Sequence, residues 1–157
     1  MFVFVTDWIT KRLAVEHLSP AHVPHEVIGD VVRFTLAYNR DAAMGLSLGG
    51  YSRIGFTITA IIVLGILGYI YYKLRPGAKG EAGALGLIAA GALGNLTDRL
   101  TSPLGVVDFI DIGIGNTRFW TFNVADSAVS VGAVLLIILS RGEEKREQAP
   151  DDGKVTI

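Results

Sequence analysis

The sequence contains no cysteine, which excludes disulfide bonds, thiolate metal sites and a cysteine nucleophile. Charge is also scarce, because charged residues make up only 18% of the chain, below the roughly 25% of soluble domains. The formal net charge of −1 gives no electrostatic basis for nucleic-acid binding, and we expect no nucleic-acid partner. Half of the residues are hydrophobic, which indicates a small integral membrane protein.

Three long segments carry almost no charge and are typical of membrane-spanning helices. Residues 54–72 and 82–97 contain no charged side chain, and residues 120–140 contain only Asp126. A helix rises ~1.5 Å per residue, so about 20 residues cross a hydrocarbon core of ~30 Å. A fourth, shorter apolar segment begins the chain. The predicted helices cover residues 3–17, 54–74, 81–100 and 123–140.

The first predicted helix is unusual because Asp7 and Lys11 interrupt its apolar sequence. These residues are four positions apart and share one face of a helix, where they can form an ion pair. The apolar stretch before Asp7 is short, whereas a spanning helix needs about 20 residues. We therefore expect additional apolar residues upstream of Met1.

Two regions between the predicted helices are typical of β-structure. From Val32 to Tyr38, strongly apolar side chains alternate with more polar ones, as in a half-buried strand. Residues 101–121 contain the β-prone run GVVDFIDI and all but the last residue of a second, TRFWTF. With four spans, both regions lie on the same side of the membrane, so we expect them to pair into a small sheet.

Basic side chains flank the helix ends on one side of the predicted bundle. They are Lys73, Arg75, Lys79, Arg141, Lys145 and Arg146. The positive-inside rule makes that side cytoplasmic, which places both termini inside and the β-prone regions outside. We predict one membrane domain, residues 1–142, followed by a polar and disordered cytoplasmic tail, residues 143–157.

Two acidic residues near the outer membrane edge are candidates for catalysis. Taken singly, Asp108 could be a solvated loop acid, and Asp126 could stabilise the first turn of its helix. Two carboxylates that share a site cannot both ionise easily, so one stays protonated. The ionised partner can then deprotonate a water while the protonated partner donates to a carbonyl oxygen. The pair therefore predicts an aspartic peptidase.

The alternative is a non-catalytic membrane protein, such as a small transporter with ion sites at Asp98, Asp108 and Asp126. Intramembrane acids on a transport path would be spread through the depth of several helices. These three instead cluster near the outer membrane interface, at two helix ends and in the loop between them, which favours the peptidase.

Other polar residues leave their roles open. Asn95, Asp98 and Arg99 share a face at the end of the third helix, where they could cap the helix or position the acidic pair. The chain has three histidines, His17, His22 and His25. They could bind a metal, but we favour a solvated, proline-broken loop. We predict no metal site and no cofactor.

Five motifs occur in a fixed order along the chain: TDWITK, TLAYNRDAAMG, GALGNLTDRL, GVVDFID and FNVADSAVSVG. In combination they resemble the lipoprotein signal peptidases, also called signal peptidase II. The matches extend from Asp7 to Leu139. The resemblance implies a membrane all-α fold with a small β part, that is, four transmembrane helices with an extracytoplasmic β-cradle and a short helix on the membrane surface.

The resemblance also implies an activity and roles for particular residues. The family's catalytic aspartates correspond to Asp108 and Asp126. Its substrate-binding residues correspond to Asn39, Asn95, Asp98, Arg99 and Asn123, and its supporting residues to Asp7 and Lys11. The implied reaction removes signal peptides from prolipoproteins that carry a diacylglyceryl group on the cysteine that becomes the new N-terminus. We expect a lipid-embedded, multi-pass monomer in the bacterial cytoplasmic (inner) membrane.

Three positions depart from the family's pattern. Asp41 and Met44 stand where the family usually has glycine and phenylalanine, and Trp8 stands where it often has glutamine. We expect Asp41 to alter the shape of the outer loop and to add a negative charge near the substrate.

Overall fold

The protein is mostly helical and carries one small antiparallel sheet, as the sequence predicts. The computed structural model describes residues 1–40 and 49–147, with the backbone alone from residue 142. The helices are α1 (Phe2–His17), α2 (Ser52–Lys73), α3 (Lys79–Thr101) and α4 (Val124–Glu147). The strands are β1 (Pro24–Ile28), β2 (Val32–Asn39), β3 (Val106–Ile114) and β4 (Thr117–Arg118), in that order across the sheet. Asp41 and Met44 lie outside the described residues.

The C-terminal helix differs from its prediction. α4 continues past the predicted end at Ser140 as far as Glu147, because glutamate, lysine and arginine are good helix formers in water as well as at a membrane edge. The polar tail, predicted as disordered from residue 143, therefore begins as helix. Residues 148–157 lie outside the described part of the chain.

Small residues allow α3 and α4 to pack closely and antiparallel. A Cβ atom at Gly80 would lie 3.1 Å from Leu139, and one at Gly94 would lie 3.3 Å from the Cβ of Ala125. The start of α3 therefore lies beside the end of α4, and the end of α3 lies beside the start of α4. Glycine at such positions lets two helix backbones approach closely.

Polar contacts fix the directions of the other two helices. Lys11 on α1 forms an ion pair with Asp98, near the end of α3, at 2.9 Å. Arg53, at the start of α2, donates to the backbone carbonyls of Arg99 and Leu100 at 2.6 and 3.1 Å. The second contact satisfies carbonyl groups that every helix leaves unpaired at its C-terminus. Asp7 lies beside Gly94 and Lys11 lies beside Asp98, so α1 runs parallel to α3. α2 starts beside the end of α3 and packs against it, so α2 runs antiparallel to α3.

The predicted pairing of the two β-prone regions is confirmed. β2 and β3 are antiparallel neighbours, with Ala37 opposite Asp108 and Asn39 opposite Val106. β1, which the sequence analysis missed, begins at Pro24, and among the described strands it pairs with β2 alone. Proline is tolerated there because it is the first residue of an edge strand.

A small apolar core joins the sheet to the bundle. It contains Ala14 and Leu18 from the end of α1, Leu36 from β2, and Val107 and Phe109 from β3. Because Val107 and Phe109 flank Asp108 in the sequence and pack on one face of the strand, the carboxylate points to the opposite face.

Two of the described helices are long and apolar enough to cross a membrane. They are the segment Gly49–Lys73, which ends with α2, and Val124–Arg141 of α4. No residue of the most apolar window of α2 is buried, and isoleucines such as Ile58, Ile62 and Ile66 lie on its surface. A surface of this kind indicates contact with lipid rather than with water.

Candidate active site

Asp126 is held at the start of α4 by a reciprocal pair of hydrogen bonds with Asn123. The Asn123 Oδ1 atom accepts a hydrogen bond from the backbone N–H of Asp126 at 2.9 Å. In return, Asp126 Oδ2 accepts one from the backbone N–H of Asn123 at 3.2 Å. This is the geometry of a capping box, and the first turn of a helix also favours a negative charge. The backbone that starts α4 therefore fixes the Asp126 carboxylate in place.

Asp108 lies on β3, and its carboxylate contacts the same asparagine. Asn123 Nδ2 donates to Asp108 Oδ1 at 2.7 Å, and Asn39 Nδ2 on β2 donates to Asp108 Oδ2 at 3.2 Å. A backbone N–H can only donate, so the oxygen of the Asn123 amide must face the N–H of Asp126, and its nitrogen faces Asp108. Asn123 therefore links the two acids directly.

The two acids have different environments. Burial raises the pKa of Asp108 to about 7, and the negative charge of Asp126 acts in the same direction. Hydrogen bonds from Asn39 and Asn123 and the positive charge of Lys11 oppose this rise in the pKa without cancelling it. Near neutral pH, Asp108 is therefore present in large part as the neutral acid, which can donate a hydrogen bond.

Both aspartates line a cavity of about 900 Å³ between the sheet, α3 and α4. Asn95 and Arg99 add polar atoms to its wall. Much of the rest is apolar and comes from Phe119, Trp120, Phe122, Val129 and Val131. A cavity of this size, with a few polar groups on an apolar wall, is suited to a peptide with an apolar portion.

A buried polar network extends from the acids towards α1. Asn95 Nδ2 donates to Asp126 Oδ1 at 2.7 Å, and Lys11 Nζ donates to Asn95 Oδ1 at 2.8 Å. The predicted ion pair between Lys11 and Asp7 is present at 2.8 Å, and both side chains are almost fully buried. Asp7 Oδ1 also accepts the backbone N–H of Ala125 at 2.9 Å, which ties α1 to the start of α4.

The structure brings together the residues singled out by the sequence, although they occupy different positions relative to the cavity. Asn39, Asn95 and Arg99 line it with the two aspartates. Asn123 has no exposed surface and contacts the acids rather than the open space. Asp98 lines a second cavity of about 500 Å³ between α1 and α3.

Aromatic residues in the segment before α4 are the feature that the sequence analysis missed. Phe119 packs edge-on against both Trp120 and Phe122, with ring centroids 5.5 and 5.9 Å apart. The run of aromatic residues just before FNVAD was the available signal, but it is equally typical of the aromatic belt at a membrane surface. Arg40 and Ser130 also line the cavity.

The histidines lie apart from this cavity. His17 ends α1, and His25 lies on β1. Across residues 1–40 and 49–141, no three histidine, cysteine, aspartate or glutamate side chains are arranged to hold a metal ion.

Comparison with known proteins identifies the family. The sequence profile of the family described as signal peptidase (SPase) II matches residues 1–141. A lipoprotein signal peptidase of Anoxybacillus flavithermus is 38% identical over 152 residues, covering 96% of this chain and 88% of the relative. A lipoprotein signal peptidase of Pseudomonas aeruginosa is 40% identical over 154 residues, covering 95% of this chain and 89% of the relative.

A solved structure, described as a bacterial membrane enzyme, has the same fold. It superposes with a TM-score of 0.81 at 32% sequence identity, and the match covers 99% of this chain and 90% of the other. Sequence and structure lead to the same conclusion, since both matches run through α1, the sheet and the cavity-lining helices. The chain therefore belongs to the signal peptidase II family and is a peptidase.

Proposed function

We propose that this protein is a membrane-embedded aspartic endopeptidase that removes signal peptides from prolipoproteins bearing a diacylglyceryl-modified cysteine. The names of the relatives, which are lipoprotein signal peptidases, support the substrate class. The single observation that carries the aspartic chemistry is the pairing of Asp108 and Asp126 through Asn123 at the wall of one cavity.

The different environments of the two acids suggest their roles. The neutral form of Asp108 donates a hydrogen bond to the carbonyl oxygen of the scissile peptide bond, which makes its carbon more electrophilic. Asp126, as the carboxylate, accepts a proton from a water molecule, and the resulting hydroxide adds to that carbon. Asp126 then transfers that proton to the nitrogen as the C–N bond breaks, which releases the amino group of the modified cysteine and a carboxyl group on the signal peptide.

We propose that α1 and α3 also span the membrane, together with the two strongly apolar helices α2 and α4. α1 has 16 residues and α3 has 23, so at ~1.5 Å per residue they span roughly 24 and 34 Å. The charges of Asp7 and Lys11 are buried against α3 and α4, whereas Trp8, Ile9 and Leu13 lie on the outer surface of α1. Such an arrangement suits a helix whose outer face meets lipid.

The proposed orientation places the active site at the outer edge of the membrane. Lys79 at the start of α3 and Arg141 on α4 lie at the end of the bundle opposite the sheet, and the positive-inside rule makes that end cytoplasmic. Both termini are then cytoplasmic, and β1 to β4 are extracytoplasmic. A signal peptide inserted with its basic end inside presents its cleavage site at this depth.

This position explains why the substrate would need its lipid. The diacylglyceryl chains would remain among the lipid tails and hold the scissile bond near Asp108 and Asp126. Each buried methylene contributes about 0.8 kcal/mol, so two acyl chains can supply much of the positioning free energy. Val129 and Val131 give the cavity an apolar wall that suits such chains.

The proposed function is tested by offering the purified protein one prolipoprotein in two forms, with and without the diacylglyceryl group, in the same detergent. We expect cleavage before the modified cysteine and a much lower rate without the lipid. Equal rates for the two forms would contradict the proposed substrate class, and cleavage of neither would contradict the proposed function.

A further inference from the structure

We infer that Lys11 is a positioning residue of this site: it orients the side-chain amide of Asn95 so that the amide donates to Asp126 instead of repelling it. This inference rests on the proposed function, because it assigns how the base of the reaction is held. Lys11 itself does not line the cavity that contains Asp108 and Asp126.

The ammonium group of Lys11 has three protons and three close acceptors. Lys11 Nζ lies 2.8 Å from Asp7 Oδ2, 2.9 Å from Asp98 Oδ2 and 2.8 Å from Asn95 Oδ1. Only 4% of the side chain is exposed, so water contributes little to its solvation. A buried ammonium needs all of its donors satisfied, and these three acceptors therefore fix the position of Nζ.

The chemistry of Lys11 decides which way the Asn95 amide faces. An ammonium group can only donate hydrogen bonds, so the atom of Asn95 that faces Lys11 must be the carbonyl oxygen. The nitrogen then faces the opposite way, where it donates to Asp126 Oδ1 at 2.7 Å. A carboxylate can only accept, so this orientation is favourable at both ends of the amide.

Without Lys11, the amide would lose its charged donor, and its orientation would depend only on the pull of Asp126 and on a longer contact with Asn123. Asn123 Nδ2 also donates to Asn95 Oδ1, but at 3.1 Å and while shared with Asp108. A rotated amide would present its oxygen to Asp126, so two acceptors would face each other. Asp126 would then move away from its position beside the water that it must deprotonate.

Lys11 also has a purely structural contribution that must be separated from this one. Its ion pair with Asp98 joins α1 to α3, and its ion pair with Asp7 neutralises a buried carboxylate. These contacts would stabilise the fold whether or not Asn95 is present. The dependence of the Lys11 effect on Asn95 is therefore the property that distinguishes the two roles.

The variant Lys11→Met keeps most of the length of the side chain and removes its charge and its donors. We expect kcat to fall by about 10- to 100-fold with little change in KM, because misplacement of a reacting group affects the chemical step. Arg12→Met makes a similar change at the next position, where the guanidinium is exposed and lies 4.6 Å from the Trp8 ring. We expect that control to leave kcat unchanged.

Lys11→Met leaves Asp7 buried without its partner, so it could unfold the protein. The double variant Asp7→Asn, Lys11→Met removes this unpaired charge and keeps an oxygen that can accept the N–H of Ala125. We expect the double variant to fold, as measured by its thermal denaturation in detergent, and to show the same loss of kcat as Lys11→Met. Recovery of wild-type kcat in this double variant would overturn the inference.

The deciding experiment is a double-mutant cycle between Lys11→Met and Asn95→Ala, with cleavage of the lipidated prolipoprotein as the readout. If Lys11 acts through the Asn95 amide, Lys11→Met lowers kcat in the wild type but by less than about twofold when Asn95 is already alanine. An equal fold-change in both backgrounds would show that Lys11 does not act through the Asn95 amide. In that case the wild type would still cleave, so the inference would fail while the proposed function stood; a wild type that does not cleave would overturn both.

Discussion

At the residue scale, the site separates two chemically identical acids by their surroundings. Asp126 receives hydrogen bonds from Asn95 and from the backbone at the start of α4. Asp108 is buried on a strand, next to the negative charge of Asp126, which raises its pKa to about 7. Asn123 contacts both, so one asparagine sets the relative position of the two carboxyl groups.

The role of Asp108 predicts how activity depends on pH. If its protonated form is required, kcat/KM falls as the pH rises through about 7. Asn39 donates to the carboxylate and so stabilises its ionised form. Asn39→Ala should therefore raise the pKa of Asp108 and move the alkaline limb of the profile upward by roughly one pH unit, measured as kcat/KM against pH.

Thr35, which lies on β2 like Asn39, provides a control for this shift. Thr35 donates to Asp111, not to Asp108, at 3.0 Å. Thr35→Ala should leave the alkaline limb where it is in the wild type. If the alkaline limb of Asn39→Ala moves to lower pH, or does not move, Asp108 does not act in its protonated form.

At the element scale, the close crossing of α3 and α4 supports the start of α4 and hence the acid pair. A Cβ atom at Gly91 would clash with the backbone carbonyl of Ala125 and would lie 2.8 Å from Val129. The carbonyl cannot move without moving the first turn of α4. The geometry of the site therefore depends on a residue that carries no side chain.

Gly91→Ala should lower stability and activity together. Overpacking of this kind costs about 1–3 kcal/mol, which would appear as a lower midpoint of thermal denaturation in detergent and a lower cleavage rate. Gly86→Ala, on the same helix, has nothing within 4 Å of the new Cβ, and it should leave both quantities unchanged or slightly improve stability. Equal effects of the two substitutions would contradict the packing account.

The sequence predicts the bounds of the helices and strands far better than it predicts which residues of different elements come together in the site. The helices are marked by apolar runs and β2 by alternating side chains, so α1, α2, α3 and β2 lie within a few residues of their predicted bounds. β1 and β4 are too short to show such a pattern. Asn123 and Asp126 form a local capping box that the spacing could have revealed, whereas the position of Asp108 depends on the long-range register of β2 and β3.

At the scale of the whole molecule, the arrangement of four helices and one sheet defines two ends. The sheet and the acid pair lie at one end, together with the ends of α1 and α3. The loop between α2 and α3, which includes Arg75, lies at the other. The proposed membrane orientation therefore makes a prediction about two loops at once.

The orientation can be tested by cysteine labelling, since the chain has no cysteine of its own. Asn116→Cys places a thiol in the exposed turn between β3 and β4, and Arg75→Cys places one in the α2–α3 loop. In intact cells, a membrane-impermeant maleimide should label the first and not the second. Labelling of the second alone would reverse the proposed topology and place the acid pair on the cytoplasmic side.

The central claim is that Asp108 and Asp126 together perform the cleavage. The amide of asparagine has nearly the shape of the carboxyl group but can neither act as a base nor carry the shared proton. Glu26→Gln makes the matching change at an exposed carboxylate on β1 and serves as the control.

The most direct measurement is the rate at which folded Asp108→Asn and Asp126→Asn each cleave a lipidated prolipoprotein, compared with Glu26→Gln and the wild type. The account predicts that each asparagine variant loses activity by about a thousandfold or more, whereas Glu26→Gln cleaves at the wild-type rate. A rate near that of the wild type in either aspartate variant would show that the substituted residue is not catalytic.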